Sequence, residues 1–352
     1  MKKILFIVFG GVNKPSSRYR IFQFLDNIRE NGLDFQYKIV STPQKAATRH
    51  YPRFLSGVIH ALNLMKFYLL ISYYCIRWAD KAFIQKTILP QIVIELLIIR
   101  KTRFIYDFDD AIYVPFSHQK NARKRKRKIE ALTCQLKNAE TVIVGNQVLE
   151  EYALQFRNEC KIIPTVIDLQ KYCVRKNNQS FNFIIGWIGT SQNLVFLDKI
   201  AHPLRVLRQE FPQLKLLVIC DKPYELDDIV INKLWSKETE IDDMLLMDIG
   251  IMPLSDDEWT RGKCSFKAIQ YMALGIPAVI SPVGMNTEVI KDGVNGFLAD
   301  TEDEWITKLR NTIVDQNLRQ TFAIKGREEV EAKYSLQVWL NQWHQILLAK
   351  KI

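Results

Sequence analysis

Short apolar, β-branched runs recur through the first half of the chain, at residues 4–9, 35–40, 82–85, 104–106 and 141–144, each followed by a longer segment whose apolar positions return every three or four residues. Runs of that length read as buried strands and the longer segments as the helices covering them. A polar break, Lys176-Asn177-Asn178-Gln179-Ser180, interrupts the pattern, which restarts at 183–188, 215–218, 249–252 and 278–281. Strands alternating with helices predict parallel sheets, so the fold class is α/β, with two Rossmann-like domains facing across a cleft. The expected division is residues 1–178, residues 179–334, and a terminal helix within 335–352 that packs back toward the first domain. No internal repeat or low-complexity tract appears.

Two segments raise the question of membranes. Met1-Lys2-Lys3 followed by the apolar residues 4–9 has the outline of a signal peptide. The run stops at Gly10-Gly11 with no small-x-small cleavage site after it, so it reads as a first buried strand. Residues 54–78 are apolar and rich in aromatics, yet His60, Asn63 and Lys66 interrupt them before about 18 uncharged residues accumulate. The pattern predicts a buried helix that does not span a bilayer, with a helix lying in the membrane interface as the alternative.

Length and composition narrow the class. A chain of 352 residues is long enough for two domains, and 48% hydrophobic with 25% charged residues excludes a disordered or collagen-like chain. Six cysteines, at 75, 134, 160, 173, 220 and 264, include no Cys-x-x-Cys pair, which points away from a zinc site or disulfide framework and toward a reducing compartment. The net charge of +11 is uneven: residues 1–180 hold 30 Lys and Arg against 14 Asp and Glu, a net +16, leaving 19 against 24, or −5. A basic first half suggests an anionic partner there. The sharpest run, from Lys120 to Arg123, Lys124, Arg125, Lys126, Arg127 and Lys128, reads either as a solvated helix face or as a membrane-surface contact. No zinc-finger, RNA-recognition or helix-turn-helix signature accompanies it, so no nucleic-acid partner is expected.

Ligands of open α/β sheets collect beyond the carboxyl ends of the strands. The first such loop, Phe9-Gly10-Gly11-Val12, permits close backbone approach at Gly11 but lacks a Gly-x-Gly-x-x-Gly fingerprint. Arg18 and Arg20, near the start of the next helix, are candidates for phosphate contact, with ordinary surface charge the alternative. The richest segment is 249–300, where residues 265–274 read as a helix ended by Gly275 and Pro277. Arg261, Lys263 and Lys267 surround its N-terminus, and cations at the positive end of a helix form a cradle for a diphosphate. Asp107, Asp109 and Asp110 follow the strand at 104–106. Carboxylates there can accept a proton from a hydroxyl, or simply cap the following turn.

The segment from Arg261 to Pro277, with Gly293-Val294-Asn295-Gly296, resembles the nucleotide-sugar site of family 4 retaining glycosyltransferases with the glycosyltransferase-B fold. The likeness extends to Gly186-Trp187-Ile188-Gly189-Thr190, to Ile163-Pro164-Thr165-Val166-Ile167-Asp168 and to Tyr106-Asp107-Phe108-Asp109-Asp110, nearly the whole chain. It implies a nucleoside diphosphate sugar, UDP- or GDP-linked, held by Gly11, Gly189, Thr190, Arg261, Lys263, Lys267 and Gln270, the last standing where the family has a glutamate that receives the ribose. Many relatives place a histidine after the fourth strand of the first domain, where this chain has Asp107-Phe108-Asp109-Asp110 instead, so Asp110 or Asp109 is the candidate to receive the acceptor proton and Asp107 to hold the loop, with Arg18, Arg20 and the run 123–128 as candidate acceptor or membrane contacts. The family's first glutamate falls on Gly262, so contact to the sugar has to come from the 262–265 loop or from Asp256, Asp257 and Glu258. Lys263 is expected to replace a basic residue that relatives carry after Gly189. Asp107-x-Asp109 also spells the metal-binding pair of the other major glycosyltransferase fold, but the two-domain pattern disfavours that fold, and no obligatory metal or other cofactor is expected.

The resemblance therefore implies a transferase acting on a glycan or lipid-linked acceptor in cell-surface polysaccharide or lipopolysaccharide assembly, cytoplasmic and peripherally attached to the inner face of the membrane. Two other readings share the fold: a nucleotide-sugar 2-epimerase, which would want histidine or carboxylate groups in the donor motif, and a catalytically silent sugar-binding relative. None of the five histidines lies in that motif, although His118 follows the aspartate cluster.

Overall fold

The structure, a computed structural model, describes residues 1–32, 34–44, 51–114, 121–174 and 182–349. The chain divides into two compact units, one of residues 1–165 with those from Trp339 onward, the other Val166–Val338. In the first unit, β1 (Lys2–Val8), β2 (Phe35–Ser41), β3 (Lys81–Gln85), β4 (Arg103–Phe108), β5 (Thr141–Val144) and β6 (Lys161–Ile162) form a parallel sheet in the order β2-β1-β3-β4-β5-β6. Its helices are α1 (Pro15–Ser17), continued by a π-helical turn at Arg18–Phe22, then α2 (Gln23–Glu30), α3 (Arg53–Arg77), α4 (Gln91–Ile99), α5 (Ala122–Asn138) and α6 (Gln147–Leu154). Ile4 to Val8 are all buried, the continuous apolar run expected of a parallel strand covered on both faces.

The second unit repeats the plan. Strands β7 (Phe183–Ile188), β8 (Leu214–Cys220), β9 (Val230–Leu234), β10 (Ile249–Met252), β11 (Ala278–Ile280) and β12 (Phe297–Leu298) pair in parallel in the order β12-β11-β10-β7-β8-β9. Around them lie α7 (Ala201–Glu210), α8 (Glu240–Met244), α9 (Glu258–Arg261), α10 (Phe266–Ala273), α11 (Asn286–Val289), α12 (Glu302–Val314) and α13 (Gln316–Glu329). A final helix, α14 (Leu336–Leu348), carries the chain back into the first unit's core, where Trp343 stacks on Phe24 at 4.9 Å between ring centroids.

Every strand anticipated from the apolar runs is present. The three additional ones were hidden because β6 and β12 are two residues long and β9 lies at a sheet edge with little buried surface. The expected boundary at 178/179 and the polar break at 176–180 lie outside the described residues, as do His118 and Lys120. Residues 166–174 group with the second unit, because the Ile167 N–H donates to the Tyr334 carbonyl at 2.9 Å and the Leu336 N–H to the Ile167 carbonyl at 2.8 Å.

One expectation is overturned. The helix at 54–78 is not buried: only Ser56, Phe67, Ile71 and Cys75 are, while Phe54, Leu62, Met65, Leu69 and Tyr73 face outward. A helix of 25 residues overhangs strands of five and seven, so it meets the sheet with part of one side. It is long and apolar enough to cross a membrane by length and composition. The buried side of its C-terminal half nevertheless belongs to the first unit's core, and the Cys75 carbonyl accepts from Thr102 at 3.2 Å.

Candidate functional site

In the second unit, chemistry gathers where β7 and β10 end beside the start of α10. Gly250 lets that helix approach: a Cβ there would lie 2.4 Å from the Tyr271 ring. The Tyr271 hydroxyl donates to the Ile251 carbonyl at 3.2 Å and accepts from the Ile188 N–H at 3.3 Å, tying α10 to both strands. Its far end is closed by Gly275 at φ +68, with Ile276 N–H donating to Tyr271 O and Gly275 N–H to Met272 O, a Schellman motif. At its near end, Ser265 adopts φ +50 and donates to Asn286 at 2.7 Å, and Asn286 in turn donates to the Ser281 carbonyl. The N-terminus of α10, with its partial positive charge, is thereby fixed against the sheet.

Four of the predicted donor residues are brought together there, while Gly11 lies in the first unit. A Cβ on Gly189 would lie 2.5 Å from the Trp187 ring and 3.1 Å from Lys267 Cε, so the Gly189 backbone runs directly beside Lys267. Lys267 Nζ is 5.3 Å from the centroid of the same ring. Asn193 donates to the Thr190 hydroxyl at 2.9 Å and accepts from Lys263 Nζ at 3.3 Å, and that ammonium lies 3.8 Å from the Trp259 ring centroid. Gly189, Thr190, Lys263 and Lys267 thus converge on one helix terminus, a surface suited to a polyanion.

Other members of the set are differently employed. The Arg261 guanidinium is exposed and bonded through Nε and Nη2 to Asp256, at 2.6 and 2.9 Å. Asp257 caps α9 in a capping box with Thr260, so neither aspartate is free for a sugar as the sequence suggested. Gln270 is buried, and its Nε2 donates to the Tyr172 hydroxyl at 2.9 Å and to Glu240 at 3.0 Å. Among the described residues its Oε1 makes no hydrogen bond, which leaves the acceptor atom for a ribose hydroxyl. Gly284, at φ +52, crosses the Arg261 carbonyl so closely that a Cβ would lie 2.4 Å from its oxygen, so this crossing fixes the loop that presents Lys263.

The first unit has its own polar cluster at the carboxyl ends of β1, β3 and β4. Gly10 and Gly11 turn the chain after β1 at φ +74 and +82, and the preceding Phe9 N–H donates to Gln85. Lys86, in the left-handed region at φ +53, contacts Asp109 and Asp110, each at 3.2 Å, and the Ser16 hydroxyl at 3.1 Å. Burial works against the Lys86 charge, but the two carboxylates more than offset it and raise its pKa. Burial likewise pushes Asp109 up, yet Lys86 and Arg20 prevail and hold it below the usual carboxylate range. Asp110 is the more accessible of the pair, with 27% of its side chain exposed against 9%.

Of the eight basic residues expected at an acceptor or membrane surface, three are wholly or partly buried. Arg20 is buried, bonded to Asp107 through Nε at 3.1 Å and through Nη2, and to the Ile163 carbonyl, which removes it from any membrane or acceptor surface. Asp107 is therefore this arginine's partner, and neither it nor Asp109 forms an open carboxylate pair. Lys128 is half-buried, and burial lowers its pKa despite the pull of Asp110, while Arg123 to Arg127 are exposed. Arg18 is half-buried with its guanidinium carbon 4.7 Å from the Tyr19 ring centroid. Sequence reasoning missed Lys86, Asn193 and Trp259. Lys86 is the first residue beyond β3, and searching every strand end would have found it. Asn193 and Trp259 carry no motif and are recruited by the turn geometry.

Comparison with known proteins agrees with this geometry. Residues 204–329 match the family model for glycosyl transferases group 1. No curated protein sequence matches. Among solved structures, sucrose-phosphate synthase from Thermosynechococcus elongatus superposes with a TM-score of 0.72 at 15% identity, covering 99% of this chain and 98% of that one. HepE from Anabaena, in complex with UDP and glucose, gives 0.69 at 16% identity over 99% and 100%. A glycosyltransferase from Rickettsia africae gives 0.69 at 14% over 99% of each chain. The fold is that of the glycosyltransferase-B enzymes, and the protein is a glycosyltransferase whose second unit is similar to the group 1 family over residues 204–329.

Proposed function

We propose that the protein transfers a sugar, with retention as in family 4, from a nucleoside diphosphate donor to a polysaccharide or lipid-linked acceptor in cell-surface glycan assembly, at the cytoplasmic face of the membrane. The observation that carries the reading is the convergence of Gly189, Thr190, Lys263 and Lys267 on the N-terminus of α10, inside the matched segment. Cations and a helix terminus there stabilise the diphosphate as it departs with growing negative charge. Gln270 offers its Oε1 to the ribose. A UDP donor is favoured over GDP because HepE structures of this fold hold UDP and UDP-glucose. In the first unit Asp110 is the group assigned to receive the acceptor proton, and Lys86 and Asp109 position it.

Thermal unfolding with UDP, GDP, CMP and ADP and their sugars, without and then with divalent cations, tests the reading. A ligand at about 100 times its dissociation constant adds about 2.7 kcal/mol of stability. A shift with the UDP series that needs no metal is the expected outcome, and none with any nucleotide would sink it. Turnover of the bound donor, followed as released UDP, separates a transferase from a silent sugar-binding relative, and an unchanged sugar configuration in the product separates retention from inversion.

A further inference from the structure

Helices α3, α4 and α5 connect β2 to β3, β3 to β4 and β4 to β5, each step moving the same way across the sheet. Right-handed crossovers place all three on one face, and α4 packs against both of the others. On α3 the outward side chains Val58, Leu62, Met65, Leu69, Tyr73 and Ile76 follow one another at steps of four, three, four, four and three, and Phe54 precedes them by four. This is one helical stripe, about 33 Å long at 1.5 Å per residue. Leu69 is 63% and Phe54 85% exposed, and α4 adds Ile92 at 73% and Ile99 at 76%. The segment from Phe54 to Arg77 contains no acidic residue. On the same face, α5 exposes Arg123, Lys124, Arg125, Lys126 and Arg127.

We infer that this face is a membrane-docking surface, with α3 lying in the plane of an anionic bilayer, its stripe sunk to the acyl boundary and the α5 cations on the lipid headgroups. Charge decides between a bilayer and a second copy of the chain. Two copies paired through this face would bring two sets of α5 cations to one interface, whereas an anionic surface attracts them. With interhelical spacings of about 8–10 Å, α5 lies roughly 20 Å from the stripe, near enough to share one flat surface. The packing of Phe67, Ile71 and Cys75 into the unit's core holds α3 alongside the sheet, the posture of an interfacial helix.

The inference rests on the membrane location proposed above and gives it a surface. The test is co-sedimentation of the full chain with vesicles of phosphatidylcholine, alone and mixed with phosphatidylglycerol. Wild type is expected to bind the mixed vesicles, and a Leu62→Gln/Leu69→Gln variant to bind about tenfold or more weakly, since each inserted leucine contributes through its buried apolar area. Its urea midpoint and its thermal shift with UDP should match wild type, because both residues are exposed and neither touches the donor site. Glutamine at Arg123, Arg125 and Arg127 should remove the preference for phosphatidylglycerol and its salt sensitivity. If wild type binds no vesicle, the membrane location itself falls. If wild type binds and the double leucine variant binds equally, this surface is overturned while the location stands. A wild type that is dimeric by light scattering and becomes monomeric in the leucine variant would assign the stripe to a second copy instead.

Discussion

Lys263 reaches Asn193 and lies over the Trp259 ring on a half-buried strip of the second unit, so truncating it removes a cation without opening the core. A charge-assisted hydrogen bond to phosphate contributes about 1.5–3 kcal/mol, so Lys263→Ala should weaken donor binding roughly ten- to hundredfold. Isothermal titration with the donor nucleotide, beside an unchanged melting temperature of the free protein, checks this. Asp110→Asn should abolish turnover and leave donor affinity intact, because the aspartate belongs to the first unit's cluster. Asp109 has a different signature. Its native pKa is lowered, so its contribution to stability is complete at neutral pH and disappears as the pH falls through that lowered value. The gap in urea midpoint between wild type and Asp109→Asn should therefore persist at pH 6 to 7, narrow below about pH 4, where an unshifted aspartate protonates, and close at still lower pH. A gap that widens with acid would contradict the ion pair with Lys86.

At the scale of elements, the crossing of Gly284 under Arg261 joins two loops that sequence periodicity treats as independent. A side chain at position 284 meets the Arg261 carbonyl oxygen and must hold φ at +52, so Gly284→Ala should cost about 1–3 kcal/mol and displace the loop carrying Lys263. Chemical denaturation and donor titration of the same variant should both move. Eight of the strands were legible because each is a nearly continuous buried run, and α10 because Gly275 and Pro277 announce its end. Arg20 and α3 show what was not legible. A buried arginine and an exposed one have the same sequence signature until Asp107 is found beside it. An apolar helix says nothing of which part of its circumference the sheet covers. The donor set was readable as a group because four of its members, Arg261, Lys263, Lys267 and Gln270, fall within one short segment of sequence, while the neighbours that orient the site, Asn193 and Trp259, depend on tertiary geometry alone.

At the scale of the whole molecule, Trp343 brings residues from the end of the chain into the core built by its beginning. Its ring stacks on Phe24 and Phe6 and lies beside Phe83, and it is almost fully buried. Trp343→Ala should cost about 3–5 kcal/mol, read as a lowered unfolding midpoint of the first unit with the second unit's transition nearly unmoved. The two-unit plan followed from alternating strands and helices. Helical spacing at 336–348 gives the last helix but does not by itself carry its expected return toward the first domain, which depends on which aromatic rings Trp343 meets.

The discontinuity of the first unit bears on the order of events at the ribosome. Residues 1–165 leave the exit tunnel long before residues 339–349 are made, and the whole second unit is synthesised in between. The nascent first unit therefore waits with the site of Trp343 empty and the apolar stripe of α3 uncovered, a species prone to sticking to itself or to chaperones. The second unit can fold first, and the first unit closes only once the segment carrying Trp343 has emerged.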